Sequence, residues 1–221
     1  MARLARVVAP GFPHHITQRG NRRQPTFFCD DDYQCYLELM GEWCGVHHVQ
    51  ILAYCLMPNH VHLIAVPEAD DGLRRAIGEV HRRYTRMINF REGWRGHLWQ
   101  GRFASFVLDE PYLLTAARYV ELNPVRAGLI NAPSRCLWSS AAAHVRGKDD
   151  KLVRIAPLLE LAPNWRAFLA RVLREEDVKL LRAHEQTGRP TGGEEFLATL
   201  EQDLGRIPRR RKPGPKGTPR G

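Results

Sequence analysis

Two histidines one residue apart, His60 and His62, stand in the stretch CLMPNHVHLIAV. On a β-strand residues i and i+2 point to the same face, so the two imidazoles project together at a separation suited to sharing a metal ion. Val61 and Leu63 then point the other way, toward a core. A pair of ordinary polar residues on a solvated face is the alternative. Spacing alone leaves it open, because the chain holds ten histidines and the adjacent pairs His14-His15 and His47-His48. Were the pair to ligate, it would need a third ligand and room for a substrate phosphate. Imidazole with an oxygen ligand suits a first-row ion such as Mn²⁺ and tolerates Mg²⁺ less well. In a nuclease that ion would polarise a phosphate and stabilise the charge that develops in displacement.

Composition narrows the partner. Thirty-three Lys and Arg against twenty-four Asp and Glu give a net charge of +9, and the pI is near 9.7. That excess points to a polyanion, nucleic acid first and an anionic membrane second. No run approaches the ~18 apolar residues of a membrane span, and the N-terminal apolar run is too short for a signal peptide. The five cysteines (29, 35, 44, 55 and 136) are odd in number and lack C-x-x-C spacing, which suggests a reducing, cytoplasmic setting. A hydrophobic content of 43% is enough for a core and excludes wholesale disorder.

The elements that must position the pair follow from periodicity. Residues 12–19 read as a first strand, and DDDYQCYLELMGEWCGVHH reads as a helix with Tyr33, Tyr36, Leu37, Met40 and Trp43 at helical spacing. Residues 49–57 and 60–67 read as two antiparallel strands, 71–93 as a second helix, and 98–108 as a fourth strand. A third helix starts at Asp109-Glu110-Pro111, where an acidic cap precedes proline. This βαββαβ order predicts an α+β, ferredoxin-like sandwich with an antiparallel sheet, a helix after the last strand and a helical C-terminal extension. The sheet would bury one face under two helices and leave the other free for a ligand. Three regions are expected: a catalytic domain at 1–148, the helical extension at 149–205 and a disordered basic tail at 206–221.

MPNHVHLI, followed downstream by ARYVELNPVRAGL, resembles the REP-associated tyrosine transposases, a branch of the single-tyrosine HUH (IS200-like) transposases. LWQGRFASF and ITQRGNR share the likeness, which spans roughly residues 5–145. The resemblance implies that His60 and His62 are metal ligands and that Tyr119 is the nucleophile. It implies Asn123 as third ligand through its amide oxygen, and Mg²⁺ or Mn²⁺ as the ion. Asn123 lies four residues after Tyr119, so on a continuous helix the two share a face, but Pro124 can kink or end that helix. The implied substrate is single-stranded or hairpin (REP-like) DNA, cleaved through a 5′-phosphotyrosine link by a monomer or homodimer. The link conserves the phosphodiester energy, which agrees with the absence of a G-x-x-x-x-G-K-[ST] loop.

For DNA contact the candidates are Gln18, Arg19, Arg22 and Arg23 after the first strand, Arg82 and Arg83 on the second helix, and Arg102. Cations follow phosphates and rings such as Trp94 and Trp99 stack on bases. Solvated helix faces are the alternative for about half of these arginines. Tyr33, Tyr36, Tyr54 and Tyr84 read as core, and Tyr112 as a packing residue. Two rival functions stay in view: a domesticated hairpin-binding protein that no longer cleaves, and a metal-dependent nuclease that uses water while Tyr119 is structural.

Overall fold

In the computed structural model, which describes residues 6–205, four strands form one antiparallel sheet. They are β1 (His14–Arg19), β2 (Val49–Met57), β3 (His60–Pro67) and β4 (Ala104–Val107), in the order β2-β3-β1-β4. Helix α1 (Asp30–Val46) joins β1 to β2, and α2 (Gly72–Glu92) joins β3 to β4. This is the ferredoxin-like arrangement expected from the order of elements.

Local chemistry explains the boundaries. Three aspartates occupy the first turn of α1, where the helix dipole favours negative charge. Helix α2 ends at Gly93, whose φ of 65° supplies the left-handed C-terminal residue. Helix α3 (Glu110–Glu121) starts where the Asp109 carboxylate accepts the Tyr112 amide at 3.0 Å, with Pro111 in the first turn.

Alternation sorts the two faces of the sheet. Ile16, Val61 and Leu63 point to a core shared with Tyr36 and Met40 of α1 and Ile77, Val80 and Tyr84 of α2. The opposite face carries His15, Cys55, His62, Ile64 and Phe106, since Thr17 pairs with His62, His15 with Ile64 and with Phe106, and Cys55 with His62.

That second face is not free, contrary to expectation. Helix α3 lies over it through Leu113, Ala116, Ala117, Tyr119 and Val120. Beyond it come α4 (Asn123–Arg126), α5 (Ala141–Arg146), α6 (Ala156–Leu161), α7 (Trp165–Ala170), α8 (Glu175–Thr187) and α9 (Glu194–Leu204). Leu158, Trp165, Phe168, Leu169, Val178 and Leu181 from this extension join the same apolar cluster. The physical reason is that Ala53, Cys55, Met57, Ile64 and Phe106 make the face as apolar as the one under α1 and α2, so it too must be covered. The extension has two bridges to the sheet, Val153 to Ile51 and Thr191 to Leu108.

The fourth strand is shorter than predicted. Before Ala104 the chain leaves the ladder, and the Gln18 amide donates to the Gly101 carbonyl at 2.7 Å. The basic tail predicted at 206–221 lies outside the described residues. Among the described residues no helix is long and apolar enough to cross a membrane.

Candidate active site

His60 opens β3 directly after the Pro58-Asn59 turn and is half-buried, whereas His62 is 2% exposed. A solvated pair is therefore excluded for His62. Their rings meet edge to face with centroids 5.0 Å apart. Burial pushes the His60 imidazole down to about 4, helped by the nearby Arg19 guanidinium. Burial likewise holds His62 well below the ordinary imidazole value, with His15, His60, Arg19 and Arg126 adding to it. Both rings are thus neutral at pH 7, as metal ligation requires.

Hydrogen bonds fix the His60 tautomer. The Asn59 side-chain nitrogen donates to the Arg23 carbonyl at 2.9 Å, so its Oδ1 faces His60. An amide oxygen only accepts, so His60 Nδ1 carries the proton in this 2.6 Å bond. Its Nε2 keeps the lone pair, in the arrangement usual for a metal-ligating histidine.

Tyr119, near the end of α3, is 4% exposed. Its ring stands edge to face against His62 at 5.5 Å and against His15 at 6.0 Å. The Arg126 guanidinium lies 4.9 Å from the centre of the phenol ring. Helix α3 stops at Glu121, and a new short helix starts at Asn123, because Pro124 has no N–H to continue the ladder. Arg126 N bonds to Leu122 O at 2.9 Å, which keeps α4 stacked on α3 and carries Arg126 back to the tyrosine. The Asn123 amide nitrogen is buried without a hydrogen-bond partner among the described residues. His60, His62 and Tyr119 are thus joined by ring contacts, while Asn123 makes no hydrogen bond with either imidazole among the described residues.

Three further residues belong here that the sequence reading did not single out. His15, fully buried on β1, reaches His62 Nδ1 with its Nε2 at 3.1 Å. Glu185 of α8 places Oε1 3.8 Å from His62 Nδ1 and 3.9 Å from His15 Nδ1. Burial raises the Glu185 carboxyl to about 7, against the opposing pull of Arg19 and Arg182. Arg126 is the third. Its only signal was a place seven residues after Tyr119, two helical turns on.

The predicted DNA contacts divide. Arg19 pairs across the ladder with His60, and Arg22 and Arg23 project from the following turn with φ of 53° and 62°. Left-handed backbone in two consecutive non-glycine residues is strained and marks this turn as specialised. Gly20 precedes it, and a Cβ there would lie 2.3 Å from the Gln24 carbonyl oxygen. Arg102 is exposed in the loop next to that turn. Gln18 is instead buried on the α1/α2 side of the sheet. Arg82 and Arg83 both bond to Glu79 on the solvent face of α2, and Arg83 also covers Trp43. A polar cavity of about 410 Å³, lined in part by Arg22, Trp94, Arg95 and His97, opens beside the turn.

A strand-borne histidine pair thus stands beside a helix-borne tyrosine on a ferredoxin-like sheet. The sequence profile of the family described as "Transposase IS200 like" matches residues 11–123, and the chain belongs to that family. No curated protein matches the sequence. Among solved structures, a REP-associated tyrosine transposase bound to a REP hairpin is 22% identical, with a TM-score of 0.54 over 70% of this chain and 92% of that one. This likeness shows the shared fold. A protein of Deinococcus radiodurans R1, described as a candidate transposase, is 17% identical over 54% of this chain and 96% of that one, with a TM-score of 0.39.

Proposed function

We propose that this chain is a single-strand DNA endonuclease and strand transferase of the REP-associated branch, with Tyr119 as nucleophile. The observation that carries this reading is the edge-to-face packing of Tyr119 on His62, with His60 beside it presenting a free Nε2. Tyr119 Oη would attack the scissile phosphorus, the P–O3′ bond would break, and the phenol proton would leave for solvent while the 3′ oxygen gains one. A 5′-phosphotyrosine link and a free 3′-OH result, and attack by another 3′-OH reverses the step onto a new strand.

His60 and His62, with the Asn123 amide oxygen, would hold a divalent cation, Mn²⁺ in preference to Mg²⁺. The donor set fits: both imidazoles are kept neutral, and the Asn123 amide has no competing hydrogen bond through its nitrogen. Bound there, the ion would supply Lewis-acid polarisation of the phosphate. The protein's own part is orientation. Asn59 holds His60, and Arg126 over the phenol holds the Tyr119 ring and adds positive charge where a phosphate must sit. Arg19, Arg22, Arg23 and the cavity beside their turn offer a cationic, ring-lined approach for single-stranded or hairpin DNA.

The test is incubation with a single-stranded hairpin oligonucleotide and Mn²⁺, followed by denaturing electrophoresis. A protein–DNA adduct that survives detergent is expected, and Tyr119→Phe should abolish it while leaving hairpin binding within about twofold. Cleavage without adduct would assign the nucleophile to water. Binding without cleavage would leave only a hairpin-recognition module.

A further inference from the structure

We propose that His15, His62 and Glu185 form a second, inner cation site on the Nδ1 side of His62. The trio takes a first-row divalent ion such as Zn²⁺, Mn²⁺ or Co²⁺. The proposal shares one residue, His62, with the function argued above but does not depend on tyrosine chemistry.

Three observations carry it. One donor atom from each residue lies within 4.8 Å of the other two. His15 Nε2 lies 3.1 Å from His62 Nδ1, and Glu185 Oε1 lies 3.8 Å from that same His62 nitrogen, on either side of the ~3.4 Å between ligands that sit ~2.1 Å from a tetrahedral ion. At 3.8 Å from His62 Nδ1 and 3.9 Å from His15 Nδ1, Glu185 Oε1 is beyond hydrogen-bond reach, so the carboxylate is aimed at the imidazoles without bonding to them. Finally, Glu185 Oε1 is buried and lacks any hydrogen-bond partner among the described residues, beside a histidine, His15, that is fully buried. A buried carboxylate oxygen left unpaired beside two imidazoles is what a bound ion satisfies. Two imidazoles and one carboxylate make a donor set that suits Zn²⁺ and its first-row neighbours and serves Mg²⁺ poorly.

His62 links the inner and outer positions by its tautomer. A neutral imidazole has one lone-pair nitrogen. With its proton on Nε2, His62 ligates through Nδ1 beside His15 and Glu185. With its proton on Nδ1, donated to His15 Nε2, it ligates through Nε2 beside His60. The two cation positions therefore exclude each other, and the protein binds one equivalent in total.

Titrating metal-free, full-length protein with Co²⁺ and following visible absorption tests this, with the Co²⁺-induced rise in melting temperature as second readout. The variants are His60→Ala, Glu185→Gln and the two combined, each checked by circular dichroism. Wild type and each single variant should bind one equivalent. The double variant should bind at least about tenfold more weakly, since even losing a supporting partner weakens a metal site about 10–100-fold. Glu185→Gln losing the ion while His60→Ala keeps it would leave the inner trio standing and remove the His60–His62 reading instead. Loss of binding in His60→Ala alone would overturn the inner site and leave the outer pair intact. Loss in both single variants, undiminished binding in the double variant, or no binding by wild type would each overturn the proposal.

Discussion

Asn59 sets what His60 can do. Its amide is oriented by the Arg23 carbonyl, and that orientation forces the His60 proton onto Nδ1. In a Glu185→Gln background, which removes the inner position, Asn59→Ala should therefore weaken Mn²⁺ binding about 10–100-fold with little loss of fold stability, read by titration of the free-ion EPR signal. Unchanged affinity would mean that His60 does not ligate through Nε2. The pair itself was legible from i, i+2 spacing on an apolar strand, yet His15 was not. Alternation tells which residues of one strand share a face but not which residues of the next strand lie opposite. The pairing of β1 with β3 decides that His15 reaches His62. Until that register is known, His14-His15 looks like background in a histidine-rich chain. Glu185 was hidden for another reason: it lies on a helix far along the chain, and nothing local marks it as facing the sheet.

At the scale of elements, the tyrosine helix is held by the next residue but one. Glu121 is fully buried, yet its carboxylate is satisfied on both oxygens. Oε1 accepts from the Ser140 hydroxyl at 2.6 Å and faces His144 Nδ1 at 2.7 Å, and Oε2 accepts from the Trp165 indole at 2.7 Å. One carboxylate thus ties α3 to the start of α5 and to α7. Glu121→Ala should destabilise the protein by about 3–5 kcal/mol, measured by urea unfolding, because three buried polar partners lose their acceptor at once. Glu121→Gln keeps one acceptor oxygen and should lose less. The break between α3 and α4 was readable from Pro124. The glutamate hub was not, because a lone Glu on an amphipathic helix reads as solvated until its neighbours are known.

For the molecule as a whole, the sheet is covered on both faces, and the second cover comes from α3 together with the extension. A chain ending at residue 148 would leave Cys55, Ile64 and Phe106 without Trp165, Phe168, Val178 and Leu181. It should be recovered as insoluble or dye-binding material, whereas a folded, soluble monomer would show that the extension is dispensable for the core. Buried histidines give the molecule a pH signature. His14 and His60 are pushed down to about 4, and His15 and His81 to about 3, by burial. As pH falls below 6.5 the unfolded chain takes up these protons and the native state does not, so stability is lost from 6.5 down to those lower values. Glu185, raised to about 7, acts in the opposite sense, because the native state gains its proton first. Four imidazoles outweigh one carboxyl. The unfolding free energy of metal-free protein, and with it the urea midpoint, should therefore drop between pH 7 and pH 5, the former by roughly 2 kcal/mol per imidazole before the Glu185 offset. A midpoint that stays level would show that these rings are not kept neutral.

The double cover also has a consequence for synthesis. Residues 1–148 leave the ribosome before α6, α7 and α8 exist, so the histidine face of the sheet has only the earlier helices, α3 foremost, over it for as long as the next 57 residues take to be made. At about 5–20 residues per second that interval is roughly 3–11 s. During it the nascent chain offers the apolar side chains of that layer that α6, α7 and α8 later cover. It should associate with holdase chaperones over that window and release them once residues near 181 have emerged.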